Sequence, residues 1–216
     1  MITATGITKS YGGKVVLDGV DFSAASGDSA VIVGRNGAGK STLLSIMAGH
    51  LQPEAGTVAI CDADGRSTYA AYCPQEDNLF DELTVRDNLL FWARARGVGS
   101  DTSEGLATLF GIDMYAHKRI SQLSGGMKKS VAIMCSLTGN SPVLILDEPF
   151  SGLDILYKRE LLQALGSLKD MGKCVIYTSH STDEIVGLDS AIYTLANSKL
   201  TFVGTRKEFS LESIIV

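Results

Sequence analysis

The chain has 216 residues, with 19 Lys+Arg against 24 Asp+Glu and a formal net charge of −5 at pH 7. With 45% hydrophobic and 20% charged residues, it is too apolar for a disordered chain, which cannot bury enough surface to order itself. The acidic balance excludes a dedicated nucleic-acid binder, because no cationic surplus is available to neutralise phosphates.

A mean hydropathy of +0.16 is high for a chain whose apolar runs, such as Val143 to Leu146 and Val131 to Cys135, fall far short of the ~20 residues a bilayer requires. The first residues, Met1 to Gly6, lack the basic region and apolar core of a secretion signal. Length predicts one domain with an insertion. Four cysteines stand apart without a CxxC pair. Cys73, Cys135 and Cys174 lie in apolar runs and read as core thiols, which points to a cytoplasmic compartment.

In chain order, Ile2 to Thr8, Val15 to Phe22 and Ala30 to Val33 read as strands, separated by the turns Tyr11-Gly12-Gly13 and Ser26-Gly27-Asp28. A helix is expected from Gly39 to Ala48, stopping near Gly49. Strands are expected at Thr57 to Cys61 and Ala70 to Cys73. From Glu76 to Leu137 the texture becomes helical, over Thr84 to Arg96, Gly105 to Phe110 and Gly125 to Leu137. Strand–helix alternation then returns: Val143 to Leu146, Ile155 to Met171, Cys174 to Thr178 and Thr182 to Val186. Short strands at Ala191 to Leu195 and Lys199 to Val203 close the series. Such alternation predicts an α/β fold with a mostly parallel core sheet.

Gly34-Arg35-Asn36-Gly37-Ala38-Gly39-Lys40-Ser41 fits G-x-x-x-x-G-K-[ST], follows an apolar strand and opens a helix. Its glycines let backbone N–H groups turn onto phosphate oxygens, and the helix N-terminus adds positive potential. Lys40 would reach the β- and γ-phosphates and Ser41 would ligate Mg²⁺. The run Val143 to Leu146 ends in Asp147-Glu148, two acids at the strand edge where α/β sheets bind ligands. Asp147 suits a Mg²⁺ shell, and Glu148 could polarise an attacking water. Leu123-Ser124-Gly125-Gly126-Met127 leads into a helix and makes a second anion-binding N-terminus, although a plain capping turn has the same composition.

Taken in order, these motifs resemble the nucleotide-binding subunit of an ATP-binding cassette (ABC) transporter, from about Ile2 to Phe209. The resemblance implies a P-loop NTPase core with an N-terminal antiparallel β subdomain (1–75 and 139–216) and a helical subdomain bearing the signature turn (76–138), all in one ATPase domain of 1–216. It implies that Gly34, Asn36, Gly37, Ala38, Gly39, Lys40, Ser41 and Thr42 hold the phosphates of ATP. Tyr11, 29 residues before Lys40, would stack on adenine, and Gln75 would sense Mg²⁺ and link the site to a membrane subunit. Read alone, Tyr11 is a strand-end aromatic and Gln75 a polar loop residue.

Ser151-Gly152-Leu153-Asp154 resembles the loop through which two subunits' sites communicate. His180 matches the histidine that contacts the γ-phosphate, whereas His50 and His117 match no motif and read as surface residues. Ser124, Gly125 and Gly126 would meet the γ-phosphate held by a second copy of the chain, in a head-to-tail dimer. Glu148, His180 and Lys40 are thus the expected catalytic residues, and Ser41, Gln75 and Asp147 the expected Mg²⁺ ligands. Further expected are a separate transmembrane permease, no nucleic acid, and a peripheral place on the cytoplasmic face of the membrane.

Met127 stands where the commonest form of the signature has Gln. Together with Lys128-Lys129, this resembles bacterial exporter-type cassettes. Asn197-Ser198 replaces the usual turn glycine near the C-terminal strands. The alternative, a soluble cassette ATPase acting on nucleic acid or the ribosome, goes with a coiled-coil insertion or paired cassettes; neither is found here.

Overall fold

A computed structural model describes residues 1–98 and 104–206. Residues 99–103 of the expected helical subdomain, and 207–216 with the end of the resemblance at Phe209, lie outside the described residues.

The chain opens on a long hairpin, β1 (Ile2–Tyr11) and β2 (Lys14–Ala24), with β4 (Ala55–Ile60) on the other edge of β1, all antiparallel. Both strands outrun the expected bounds, because Tyr11 still pairs with Lys14. Gly12 and Gly13 alone make the turn, at φ +56° and +81°. Two consecutive left-handed residues twist a two-residue loop in the sense that antiparallel strands require.

The second sheet runs β5-β6-β7-β3-β8-β9. Its strands are β3 (Ser29–Val33), β5 (Ala70–Cys73), β6 (Val143–Leu146), β7 (Cys174–Ser179), β8 (Ala191–Ala196) and β9 (Lys199–Thr205). The first five are parallel, and β9 returns antiparallel to β8. Asn197 and Ser198 make that return at φ +50° and +63°, so Asn and Ser serve where a glycine was missed.

The inner strands are buried along their whole length, which is why they read as unbroken apolar runs. Alternate residues feed opposite faces. Ala30, Ile32, Val143, Ile145, Cys174 and Ile176 join a core with the hairpin and with α1 (Lys40–Met47). Val31, Val33, Leu144, Leu146, Val175 and Tyr177 join a second core with the helical segment. Each fully buried aliphatic side chain contributes about 1.5–3 kcal/mol, and a one-residue slip would exchange the two sets.

The helical segment comprises α2 (Val85–Ala95), α3 (Glu104–Leu109), 3-10 turns at Ile112–Tyr115 and Ile120–Gln122, and α4 (Gly125–Leu137). Two more helices, α5 (Ile155–Asp170) and α6 (Thr182–Gly187), complete the alternation. Cys73, Cys135 and Cys174 are buried free thiols, as expected, and Cys61 is half-buried. Burial pushes the three core thiols up to about 12. No helix among the described residues is long and apolar enough to cross a membrane.

Candidate active site

The phosphate-type loop connects β3 to α1, which begins at Lys40, one residue later than expected. Gly39 precedes it at φ +104°, and no side chain caps the helix. The first-turn N–H groups of α1 therefore lack a side-chain acceptor and are suited to an anion. Two glycines are required by their surroundings. A Cβ on Gly34 would lie 2.6 Å from the Leu195 carbonyl oxygen, and one on Gly39 would lie 2.6 Å from Val16 Cγ1. Lys40 is buried, and its Nζ donates to the carbonyls of Gly34 (2.9 Å) and Arg35 (3.3 Å). The ammonium is thus held against the loop's own backbone, where phosphate oxygens would offer stronger, charged partners.

Nine of the expected residues line one cleft of about 430 Å³: Tyr11, Asn36, Gly37, Gly39, Lys40, Ser41, Thr42, Gln75 and Glu148. Tyr11 is half exposed at the end of β1, with the Lys9 ammonium 5.7 Å from its ring centre. Gly34, Ala38 and His180 line a neighbouring cavity that shares Asn36 and Gly37 with this cleft.

The acid pair sits at the end of β6. The Asp147 N–H donates to the Cys73 carbonyl (3.0 Å), carrying the β5–β6 ladder one residue further. Its buried carboxylate accepts from Thr178 Oγ1 at 2.8 Å. Thr178 Oγ1 in turn accepts from the Glu148 N–H at 2.7 Å. Glu148 adopts φ +45°, a conformation that a non-glycine residue keeps only when its surroundings impose it, at about 1–3 kcal/mol. Its carboxylate faces two partners: Gln75 Nε2 donates to Oε2 at 3.3 Å, and His180 Nδ1 stands 4.0 Å from Oε1. Residues from three separate loops therefore meet at Glu148.

The signature turn lies apart, since Ser124, Gly125 and Gly126 line neither cavity. Ser124 caps α4, its hydroxyl accepting from the Met127 N–H at 3.3 Å. Gly126 is covered by the ring of Tyr157, to which a Cβ there would come within 2.4 Å. Met127 is half-buried against the helical-side core, so its side chain packs where a glutamine would place an amide. Asp154 caps α5, accepting from the Tyr157 N–H at 3.0 Å. His50 and His117 are exposed.

Three residues escaped the sequence reading. Thr178 joins the two acids, and Lys129 is buried with its Nζ on the Gln75 carbonyl (3.0 Å) and on Asp77 Oδ1. Tyr157 covers Gly126. The available signals were a strand-end threonine in register beside Asp147, and a lysine on the apolar face of a helix. Neither carries a partner's name in one dimension.

The donor set suits a Mg²⁺ ion held through its substrate. Among the described residues no three His, Cys, Asp or Glu side chains cluster into a metal cage. Mg²⁺ needs none, because it keeps phosphate and water oxygens beside one or two protein oxygens. Ser41 and Gln75 offer such oxygens within the cleft; the expected third ligand, Asp147, does not line it and is buried against Thr178, one residue before Glu148, which does.

The model of the ABC transporter family matches residues 17–151. The chain is 37% identical to the Nod factor export ATP-binding protein I of Mesorhizobium japonicum, over 83% of this chain and 56% of that protein. It thus spans little more than half of that relative's length. It is 32% identical to the linearmycin resistance ATP-binding protein of Bacillus subtilis, over 96% of this chain and 70% of that protein. A solved ATP-binding subunit of an ABC transporter superposes with a TM-score of 0.80 at 26% identity, covering 98% of this chain and 90% of that one. Motif order, sheet topology and these likenesses agree, and the chain belongs to the ABC transporter family as one of its ATP-binding cassettes.

Proposed function

We propose that this cassette binds ATP with Mg²⁺ in the Tyr11–Lys40–Glu148 cleft, hydrolyses it, and powers export through a separate membrane subunit. Tyr11 stacks on the adenine, the loop from Gly34 to Thr42 wraps the phosphates, and Lys40 shifts its three donors from backbone carbonyls to the β- and γ-phosphates. Ser41, Asp147 and Gln75 would hold Mg²⁺, which when bound would supply positive charge against the phosphates. Glu148 takes a proton from water while the water oxygen attacks the γ-phosphorus. The bond to the β–γ bridging oxygen breaks, leaving ADP and phosphate. His180 contacts the γ-phosphoryl group. The one observation that carries this reading is Glu148, held in a costly backbone conformation by Thr178 with Gln75 and His180 at its two carboxylate oxygens.

Two copies complete two sites, each closing Ser124, Gly125 and Gly126 over the other's γ-phosphate. Ser124 and Gly125 are exposed and do not line their own cleft, which supports this arrangement. Within one ATPase domain, residues 76–138 form the arm that carries the signature turn. A groove of about 670 Å³ between that arm and the core, lined by Tyr72, Glu76, Asn78, Trp92 and Arg96, receives the membrane subunit. The chain then sits at the cytoplasmic face of the membrane. The direction, export, follows that of the Nod factor export relatives.

Glu148→Gln tests the core of this reading. ATP affinity by calorimetry should stay within about threefold, phosphate release should fall by about 10²-fold or more, and ATP should drive the variant into a stable dimer. Unchanged phosphate release removes Glu148 as the base.

A further inference from the structure

One partly buried ion pair, Lys158 with Glu184, takes no part in the reaction; the carboxylate is buried and the lysine side chain a third exposed. Glu184, on α6, is almost wholly buried, and each end of it has a partner. Its Oε1 accepts from Lys158 Nζ at 2.8 Å, its Oε2 accepts from Ser179 Oγ at 2.6 Å, and its backbone carbonyl accepts from the Tyr177 hydroxyl at 3.0 Å. Ser179 Oγ, whose proton goes to Glu184, also accepts from the Ser181 N–H at 3.1 Å. The bonds therefore close around the two residues that flank His180.

His180 itself is loosely held. Its side chain is 61% exposed, and its ring reaches Glu148 only at 4.0 Å. Its position has to come from the backbone on either side. An ion pair with one buried and one partly exposed partner contributes little net stability, since desolvation and solvent screening offset most of the attraction. What a carboxylate supplies here that an apolar side chain cannot is direction, with two acceptor oxygens aimed at two fixed donors. Lys158 lies one helical turn beyond Asp154, so the same carboxylate also fixes the start of α5 against the His180 loop.

We propose that Glu184 is a positioning residue for catalysis, setting the His180 backbone through Ser179. This rests on the reading of His180 as a γ-phosphate contact. Its effect on turnover runs through the His180 backbone, and Glu184 itself lines neither the cleft nor the neighbouring cavity. The test is a double-mutant cycle on ATP turnover. Glu184→Gln replaces the charged acceptor of Ser179 with a weaker neutral one and cannot pair with the Lys158 charge, and Ser179→Ala removes the hydroxyl link alone.

Each variant should keep its ATP dissociation constant and melting profile while kcat falls about tenfold, the worth of a hydrogen bond to a charged group. In a His180→Ala background the same substitutions should change kcat by less than about twofold, because their route of action is gone. An equal loss of kcat with and without His180, or no loss at all, overturns the proposal and leaves the cassette reading intact. Full turnover in His180→Ala alone overturns the reading of His180, and this proposal with it. Should Glu184→Gln melt early, Ser179→Ala decides, since it leaves the ion pair in place.

Discussion

Gly126 shows how a single atom links the motif to the fold. A methyl group there would lie 2.4 Å from Tyr157 Cγ, at the root of the ring, where the side chain cannot swing aside cheaply. Gly126→Ala should displace either the ring or the signature turn, at about 1–3 kcal/mol. Nucleotide affinity of the single chain should not change, whereas turnover should fall about tenfold or more. Adding Tyr157→Ala should recover part of it, and a phosphate-release assay on the three variants checks this. The glycine was visible in Ser124-Gly125-Gly126, but its reason was not, because Tyr157 is 31 positions away in the chain. Glu148 repeats the lesson. Its place after an apolar run marked it as a strand-end acid, while its left-handed backbone and its link through Thr178 exist only once β6 and β7 are side by side.

At the scale of elements, boundaries followed local chemistry wherever a cap or a turn residue decided them. Thr84 begins α2 by accepting from the Asp87 N–H at 3.1 Å and donating to its carboxylate at 2.6 Å. Thr84→Ala should cost about 1 kcal/mol, seen as a lower urea midpoint with an unchanged slope. ATP affinity should hold, because α2 does not line the cleft. Ser124 and Asp154 start α4 and α5 by the same device. Boundaries set by pairing were harder to read. The hairpin β1–β2 runs past Thr8 to Tyr11 because register shifts along β1 keep the strands in step, and such bulges leave no mark in hydrophobic alternation. That extension places Tyr11 at the mouth of the cleft.

At the scale of the molecule, burial of ionisable groups sets the response to alkali. Tyr115 and Tyr177 are pushed by burial up to about 12 from 10.0, and Cys73, Cys135 and Cys174 to about 12 from 9.0. Each raised group keeps its proton in the folded chain after the unfolded chain has lost it. The unfolded state then binds fewer protons, so stability falls as pH rises. Stability should be unaffected by these groups below pH 9 and decline steadily from 9 to about 12. Urea midpoints taken across that range check it, and a flat profile would show that these groups are not protected.

The sequence by itself determined the family, the glycine-rich loop between β3 and α1, the acid pair after β6 and the order of elements, because each depends on a short run of residues whose spacing suits its chemistry. Only the tertiary structure decided which side chains meet: Thr178 with Asp147, Lys129 with the Gln75 loop, Tyr157 over Gly126, and Glu184 around His180. Those contacts join residues far apart in the chain, and chain folding sets distances that spacing along the sequence does not encode.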